Sequence, residues 1–264
     1  MRSNSKGTPE IATFLYHEVT DDPASSGFQR PGAQAYRHTV GAFSEHLNQI
    51  AASGRASRPV DEIDFDHTGR FLMITFDDGG KSALTACEQL NARNWKGHFF
   101  VITGLMEDRL FLDKQAIRYI RSCGHVIGSH SHTHPDIFRS QSLENMIGEW
   151  RTSCSRLADL LGESCHVASV PGGDLSPRVI ESAEASGIRY LFTSEPWLRP
   201  RRVGKCWVLG RVCPKAGTPL GQIARLARFQ GWKEQLLSRR AKNFARVALH
   251  PLYTYYVRRS TIPY

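Results

Sequence analysis

Short apolar runs alternate along most of the chain with segments in which apolar residues recur at helical spacing. The runs have the length of buried strands and occupy residues 11–16, 71–76, 98–102, 126–128, 167–170, 189–193 and 207–212. Helical segments between consecutive strands are typical of a sheet whose strands run in parallel. The pattern therefore predicts an α/β fold with a largely parallel sheet.

Glycine, serine and proline mark the ends of the predicted helices. These helices are expected at residues 39–53, 113–123, 142–161 and 177–186. Gly54, Gly124 and Gly187 follow three of them, where glycine can supply a left-handed C-terminal cap. Ser176 and Pro177 provide the N-cap and the first helical position of the last one.

Two regions interrupt the alternation. Residues 20–38 are rich in Pro, Gly and Ser and predict a long loop that borders a site. After Val212 no further strand is indicated, and residues 219–230 and 232–257 predict two helices instead. The sequence thus predicts a domain of residues 1–212 followed by a basic helical extension of residues 213–264.

Basic residues are concentrated toward the C-terminus. The chain has a net charge of +9, and residues 199–264 hold 15 Lys or Arg against the single acid Glu234. The remaining residues carry 19 basic and 24 acidic side chains. Such a segment suits an anionic membrane surface or an acidic partner. Nucleic acid is not expected as a partner, because no recognition motif accompanies the charge.

The hydropathy and the N-terminus predict a cytoplasmic protein. Residues 1–10 lack the apolar run of a secretory signal, and no stretch approaches the roughly 18 consecutive apolar residues of a membrane span. The six cysteines form no Cys-x-x-Cys pair, so free thiols are expected. The basic extension predicts that any membrane association is a peripheral contact with the inner membrane face.

The first candidate for chemistry is the string Thr-Phe-Asp-Asp-Gly that ends the run 71–76. In parallel α/β proteins, catalytic groups gather at the carboxyl ends of strands. The adjacent carboxylates of Asp77 and Asp78 repel each other unless a cation or a proton intervenes. Asp-Asp-Gly is also an ordinary turn sequence, so this motif alone does not establish a site.

The second candidate is a cluster of three histidines that follows the run 126–128. His130, His132 and His134 fall within five residues, and neutral imidazole is a common zinc ligand. Two imidazoles four positions apart, together with one aspartate, make a three-ligand site with positions left for water and substrate. The pairing of this cluster with a strand-end Asp-Asp favours a functional site over a surface tract.

These two motifs resemble those of a known enzyme family. TFDDG followed by GSHSHTHP looks like the first two motifs of polysaccharide deacetylases, the NodB-like carbohydrate esterase family 4. The likeness extends through most of residues 11–212 and includes the strings YHEV, GHFFV and PGG. The resemblance implies a distorted (β/α) barrel with seven or eight strands. It also implies hydrolytic removal of acetyl groups from N-acetylhexosamine units.

The resemblance also implies a role for each motif residue. Asp77 is expected to be the general base. Asp78, His130 and His134 are expected to bind a divalent metal, for which zinc is the prediction. Such a metal lowers the pKa of bound water and polarises the acetyl carbonyl. The middle residue, His132, is expected to be a bystander.

The string PGG, residues 171–173, stands in the place of the family's third motif. The resemblance implies that it stabilises the oxyanion, because the backbone N–H of Gly172, which follows Pro171, could donate to the oxyanion.

Two departures from the family pattern stand out. The third motif usually begins with an arginine that orients the base, but Ser169 occupies that position, and a hydroxyl cannot make the paired contact of a guanidinium. The late Leu-x-His motif, which supplies the general acid, is also unclear. His250 in Ala-Leu-His-Pro is the candidate, with His17 as the fallback.

The sequence therefore predicts a metal-dependent hydrolase that removes N-acetyl groups from amino sugars. Its expected substrate is a polysaccharide or lipid-linked glycan precursor, in the biosynthesis of an exported polysaccharide. One alternative is a deacetylase-like protein that binds sugar with altered catalysis, which the missing arginine favours. A related C–N hydrolase acting on a small amide is another.

Overall fold

A computed structural model of the protein describes the backbone of residues 7–248 and the side chains of residues 7–241. The strands are β1 Glu10–Tyr16, β2 Glu18–Val19, β3 Arg37–His38, β4 Arg70–Phe76, β5 His98–Val101, β6 Val126–Ser129, β7 Val167–Ser169, β8 Tyr190–Phe192, β9 Arg201–Val203 and β10 Cys206–Leu209. The helices are α1 Val40–Ala51, α2 Ala83–Asn91, α3 Lys114–Ser122, α4 Leu143–Leu161, α5 Pro177–Ala185, α6 Leu220–Ala227 and α7 Trp232–Ala248.

Eight strands form one curled sheet in the order β1-β4-β5-β6-β7-β8-β10-β9. All neighbours in this sheet are parallel except β9, which pairs antiparallel with β10. A parallel bridge between Phe14 and Val212 links β1 to the chain beyond β10 and so joins the two sides of the curl. The prediction of a distorted (β/α) barrel with seven or eight strands is confirmed.

The helices pack their apolar faces against the outside of the sheet. In α1, Phe43 and Leu47 are buried in a core that also contains strand residues such as Phe14 and Phe76. A fully buried side chain of this size stabilises the fold by about 1.5–3 kcal/mol relative to leaving it exposed. The core thereby fixes the carboxyl edge of the sheet, where the polar motifs lie.

The secondary structure follows the predicted pattern with a few omissions. Each of the seven predicted strands is present, with ends shifted by three residues or fewer. The sequence pattern missed the short edge strand β9 and the nine-residue helix α2. The predicted loop 20–38 contains two 3-10 helices, Pro23–Ser25 and Pro31–Tyr36, and then β3, which pairs with β2.

Two helices follow the barrel, as the C-terminal pattern predicts. Helix α6 contributes Ile223 and Leu226 to the core shared with α1. Helix α7 continues to Ala248, and the rest of the predicted helix 232–257 lies outside the described residues. The domain boundary at residue 212 stays a prediction. Among residues 7–248, no helix combines the length and the hydropathy needed to cross a bilayer.

Candidate active site

The polar motifs meet at the carboxyl edge of the sheet. Asp77 and Asp78 follow β4, and the backbone N–H of Asp77 donates to the carbonyl of Tyr16 at the end of β1 (3.0 Å). Asp77 is only 3% exposed. Asp78 has a φ of +74°, a left-handed conformation that is uncommon for a residue other than glycine. This backbone turn directs two successive carboxylates into the same site.

The histidine loop begins where β6 ends. The Nδ1 of His130 donates to the carbonyl of Ser169 on the neighbouring strand β7 (3.0 Å), which leaves its Nε2 free to bind a ligand. Ser131 and His134 both have positive φ, at +65° and +54°. The Ser131 hydroxyl accepts a hydrogen bond from the backbone N–H of His134 (3.0 Å). The tight loop thus turns His134 back toward His130.

A carboxylate from helix α4 holds this strained loop. Glu149 accepts hydrogen bonds from the backbone N–H of His132 (2.8 Å), the backbone N–H of Thr133 (2.7 Å) and the Thr133 hydroxyl (2.7 Å). The ring of His132 bonds instead to the Thr103 hydroxyl through Nδ1 (3.0 Å). His132 therefore stays out of the histidine pair, as its predicted bystander role requires.

Asp78, His130 and His134 form a cluster of three ligand atoms that lie within 4.8 Å of one another. The Nε2 of His130 is 3.3 Å from Asp78 Oδ1, and the Nε2 of His134 is 3.8 Å from the same oxygen. Around a tetrahedral zinc ion with bonds of about 2.0–2.1 Å, ligand atoms are about 3.3 Å apart. The donor types and their spacing therefore fit a divalent metal of this kind.

Arg211 holds the other carboxylate of the motif. Its Nη1 donates to Asp77 Oδ1 (2.7 Å) and its Nη2 to Asp77 Oδ2 (2.8 Å), which is a paired, two-bond contact. Nη2 also donates to the Ser169 hydroxyl (2.7 Å), which in turn donates to Asp77 Oδ2 (2.9 Å). Ser169 and Arg211 together thus occupy the place of the arginine that the third motif lacks.

Burial and charge determine the ionisation of the two aspartates. Burial alone would raise the pKa of Asp77, but the cation of Arg211 and the nearby His130 outweigh it and hold the pKa below its usual value. Burial opposes ionisation of Asp78 as well, yet its hydrogen bond with His130 and the neighbouring histidines keep its pKa low. Both carboxylates are therefore ionised at neutral pH.

The pKa values of the two histidines of the cluster are shifted in opposite directions. Burial would lower the pKa of His130, but the carboxylates of Asp77 and Asp78 raise it. For His134, burial and the adjacent His130 lower the pKa to about 4. His134 is consequently neutral near pH 7, the form in which imidazole binds a metal.

The turn after β7 carries the predicted oxyanion donor. Pro171 is buried, whereas Gly172 is exposed and has a φ of +66°. The next residue, Gly173, is fixed by the hydroxyl of Thr193, which donates to its carbonyl (2.8 Å). A methyl group on Gly173 would lie 1.9 Å from the hydroxyl oxygen of Ser194, so glycine is required there.

Of the two predicted candidates for the general acid, the structure describes one. His250 lies outside the described residues. His17 directly follows β1, and its ring is among the charges that lower the pKa of Asp77 and of Asp78. Its Nδ1 is 4.0 Å from the thiol of Cys213. His17 therefore lies beside the aspartate pair.

Part of the loop 20–38 packs against the same edge of the sheet. The ring of Phe28 lies 5.5 Å from the ring of His134, and Arg30 forms an ion pair with Asp136 (2.9 Å). The buried carboxylate of Glu18 accepts a hydrogen bond from the backbone N–H of Gly27 (2.8 Å). This loop thus borders the cluster on the His134 side.

Arg211 is the site residue that sequence reasoning missed. It is one of the 15 basic residues in 199–264, and in the sequence it contributes only to the net positive charge of that range. Its position carried a usable signal, because it follows the apolar run of β10 at the carboxyl edge of a parallel sheet. Its partner Asp77 is 134 residues earlier in the chain, which is why the pairing is invisible in the sequence.

Comparison with known proteins agrees with this architecture. The polysaccharide deacetylase family model matches residues 65–191, which include the whole donor cluster. Over these residues, somewhat less than half of the chain, the sequence is similar to the polysaccharide deacetylase family. Arg211 lies beyond the residues that the family model matches. The peptidoglycan-N-acetylglucosamine deacetylase PgdA of Listeria monocytogenes is 26% identical over 144 residues. That match covers 54% of the chain but only 30% of the length of PgdA.

Solved structures of deacetylases share the fold. The Streptococcus pyogenes deacetylase PplD, in complex with acetate, superposes with a TM-score of 0.69 at 16% identity, over 84% of this chain and 99% of PplD. IcaB from Ammonifex degensii gives a TM-score of 0.68 at 20% identity, over 84% of this chain and 98% of IcaB. At these identities the likeness establishes the fold of this chain and leaves its activity to be argued from the site.

Proposed function

We propose that this protein is a divalent-metal-dependent hydrolase that removes N-acetyl groups from amino sugars. The observation that carries the proposal is the arrangement of an ionised Asp77, fixed by Arg211, beside the donor cluster of Asp78, His130 and His134. A base and a metal site within a few ångströms are the two components that metal-assisted hydrolysis of an amide needs. The match of residues 65–191 to the polysaccharide deacetylase family model supports the same reaction.

Asp77 would act as the general base that removes a proton from the attacking water. Arg211 keeps the carboxylate ionised and prevents its rotation, because both oxygens are held by separate N–H groups. The Nε2 of His130 lies 3.9 Å from Asp77 Oδ2, so the base adjoins the donor cluster without joining it. A divalent metal bound by the cluster would polarise the acetyl carbonyl and lower the pKa of water.

The backbone N–H of Gly172 would stabilise the negative charge that develops on the acetyl oxygen. Gly172 is exposed at the tip of its turn, while the buried Pro171 and the anchored Gly173 on either side fix the backbone. Removing one oxyanion-hole donor costs about 10²–10³ in kcat in a hydrolase where this has been measured. The turn therefore suits an oxyanion donor better than a mobile side chain would.

His17 would donate the proton to the departing amine. Strand register supports His17 for this role, because Tyr16 pairs with Phe76 and the next residues are His17 and Asp77, whereas His250 lies outside the described residues and stays the other candidate. Substrates with different leaving groups test it. A His17→Ala variant should lose hydrolysis of an N-acetyl amide but retain much of its activity on 4-nitrophenyl acetate, whose leaving group needs no proton. Equal losses on both substrates would reject His17 as the acid, and His250→Ala is the matched comparison.

The proposed substrate class is an N-acetylhexosamine polysaccharide or a lipid-linked glycan precursor of an exported polysaccharide. PgdA acts on peptidoglycan N-acetylglucosamine, by its name, and IcaB and PplD share the fold. A cytoplasmic location, with the basic C-terminal segment at an anionic membrane face, is the corresponding proposal for where the protein works. Acetylated chitooligosaccharide is the first substrate to assay.

Metal content and turnover, measured together, test the proposed function. Asp78→Ala, His130→Ala and His134→Ala should each lose stoichiometric zinc and deacetylation in parallel. Asp77→Asn should keep the metal but lose hydrolysis, because an amide cannot accept the proton from water. A wild-type protein that binds no zinc, cobalt or manganese at the cluster would contradict the metal-dependent mechanism.

The same experiment separates the sugar-binding alternative from the enzyme. The absence of arginine from the third motif was the main reason to consider a protein with altered catalysis. Arg211 and Ser169 supply the missing contact, which favours the catalytic proposal. Oligosaccharide binding without acetate release would support the binding protein. Preferential hydrolysis of small amides such as acetamide would instead support the related C–N hydrolase.

A further inference from the structure

Helix α7 is attached to the domain at two points on one of its faces. Near its start, Trp232 is buried, and its indole N–H donates to the carbonyl of Leu226 (3.0 Å). Seven residues later, Arg239 forms ion pairs with two acids of the domain. Seven residues make almost two full helical turns, so both side chains lie on the same face, about 10 Å apart along the axis. Lys233 and Arg240 are exposed.

The partners of Arg239 belong to two loops at the carboxyl edge of the sheet. Its Nη2 lies 3.1 Å from Asp174, which ends the turn that carries Gly172. Its Nε lies 3.3 Å from Glu195, in the loop that follows β8. All three side chains are 13–18% exposed, so this ion-pair network is shielded from solvent better than an ordinary surface pair.

The two loops that Arg239 bridges each support one part of the proposed active site. The first loop presents the backbone N–H of Gly172. The second loop supports Arg211, because the backbone carbonyl of Glu195 accepts the N–H of Arg211 (3.0 Å) and that of Thr193 accepts its Nε (3.1 Å). The loops are also joined at Gly173, whose carbonyl accepts the backbone N–H of Ser194 (3.3 Å).

We propose that α7 is a working part of the active site, in which Arg239 is a positioning residue that clamps the Gly172 turn to the loop supporting Arg211. This inference rests on the proposed deacetylase function. Without Arg239, the guanidinium that ties Asp174 to Glu195 is lost and the two loops shift relative to each other, even though Arg139 still lies 3.9 Å from Asp174. Repulsion between the two carboxylates adds to this shift. A displacement of about 1 Å in such a donor can reduce the rate about 10²-fold.

The clamp gives part of the basic C-terminal segment a defined task. The basic charge of residues 199–264 predicts a segment that suits an anionic membrane surface, but the guanidinium of Arg239 is directed at the domain and forms ion pairs with two acids. Arg240, the next residue, is exposed and provides a matched control of the same charge, on the same helix.

Steady-state kinetics of the full chain test the clamp. Arg239→Ala should lower kcat at least about tenfold with a much smaller change in KM, since the affected donor acts mainly in the transition state. Zinc content should stay stoichiometric, because none of the three donor residues lies on the clamped loops. Arg240→Ala should match the wild type, and Arg239→Lys should lie between, because an ammonium lacks the planar fork that reaches both acids. A kcat for Arg239→Ala equal to that of Arg240→Ala would overturn the proposal.

Hydrogen exchange measured by mass spectrometry provides a readout that does not depend on activity. Peptides covering residues 169–175 and 193–197 should exchange faster in Arg239→Ala than in Arg240→Ala, whereas peptides of β4 should be unchanged. Equal exchange of both loops in Arg239→Ala and Arg240→Ala would overturn the clamp proposal, whether or not the wild type has deacetylase activity. If the wild type deacetylates nothing while the exchange difference is present, the proposed function fails and the clamp stands.

A triple variant separates clamping from simple charge repulsion. Asp174→Asn and Glu195→Gln, added to Arg239→Ala, remove the repulsion but do not restore the bridge. The triple variant should regain thermal stability while its kcat stays low. Full recovery of kcat would show that the bridge is dispensable and would reject the proposal.

Discussion

Replacing Arg211 by glutamine tests whether the base is held by a buried ion pair. Arg211 is fully buried, and the side chain of Asp77 is 4% exposed. The guanidinium makes five hydrogen bonds, to Asp77 twice and to Thr75, Ser169 and Thr193 once each. Removing one partner of a buried pair costs about 3–5 kcal/mol, because the other charge stays buried and uncompensated. We expect Arg211→Gln to lose that amount of unfolding free energy at pH 7.

The pH dependence identifies the carboxylate as the source of this loss. In the wild type the pKa of Asp77 is depressed, so its ionisation stabilises the fold above the unfolded value of about 3.9, and this contribution disappears as the pH falls through the folded pKa. In Arg211→Gln, burial dominates and the pKa of Asp77 rises. The stability difference between the two proteins should therefore be largest near pH 7 and shrink as the pH falls below about 4, through the depressed folded pKa of the wild type. The acid limb of kcat/KM should move to higher pH.

Urea unfolding in metal-free buffer measures the effect without the contribution of ligand binding. Arg199→Gln is the matched control, because Arg199 is 71% exposed and lies 3.6 Å from Glu10. That exposed pair should contribute about 0–1 kcal/mol. A loss for Arg211→Gln no larger than for Arg199→Gln, or a stability difference that does not vary with pH, would refute the assignment of Arg211 as the cation that orients Asp77.

Three further substitutions probe the loops around the cluster. Glu149→Ala should weaken zinc affinity about 10–100-fold, because it releases the histidine loop; isothermal titration should give no such change for the exposed Glu144→Ala. His132→Ala should keep its zinc by mass spectrometry, and loss of the metal would contradict its bystander role. Gly173→Ala should destabilise the fold by about 1–3 kcal/mol in thermal unfolding, because the turn has φ +68° and no space for a methyl group. Gly148→Ala, which has open space around it, should not be destabilised.

The strands and the donor cluster were predictable because local sequence specifies them. The apolar runs 71–76 and 126–128 have strand length, and the polar residues that follow them must lie at the carboxyl edge of a parallel sheet. Helix α2 escaped prediction because its ends lack the signals of the equally short α3 and α5: no glycine closely follows Asn91, and the Ser82 side chain makes no capping hydrogen bond. Strand β9 consists of exposed residues and lacks the apolar alternation of a buried strand.

The support of the site was harder to predict because it depends on contacts between distant parts of the chain. Arg211 and Arg239 have the same local character as the other basic residues of the C-terminal segment. Their tasks follow from where the barrel and helix α7 place them, beside acids that are 134 and 65 residues away. Charge composition alone indicated a separate role for this segment, whereas packing assigns two of its arginines to the site.

The bridge between Phe14 and Val212 has a consequence for how the protein acquires activity during synthesis. Val212 joins the far side of the curled sheet to β1. The residue directly before it is Arg211, which keeps Asp77 ionised and orients it. A nascent chain that has emerged only through β8 contains both aspartates and both histidines but not this arginine. Because contacts across such long sequence separations form late in folding, the donor cluster can assemble before the base is oriented. In the proposed mechanism, a ribosome-bound intermediate is thus expected to complete the donor cluster before its base is in place.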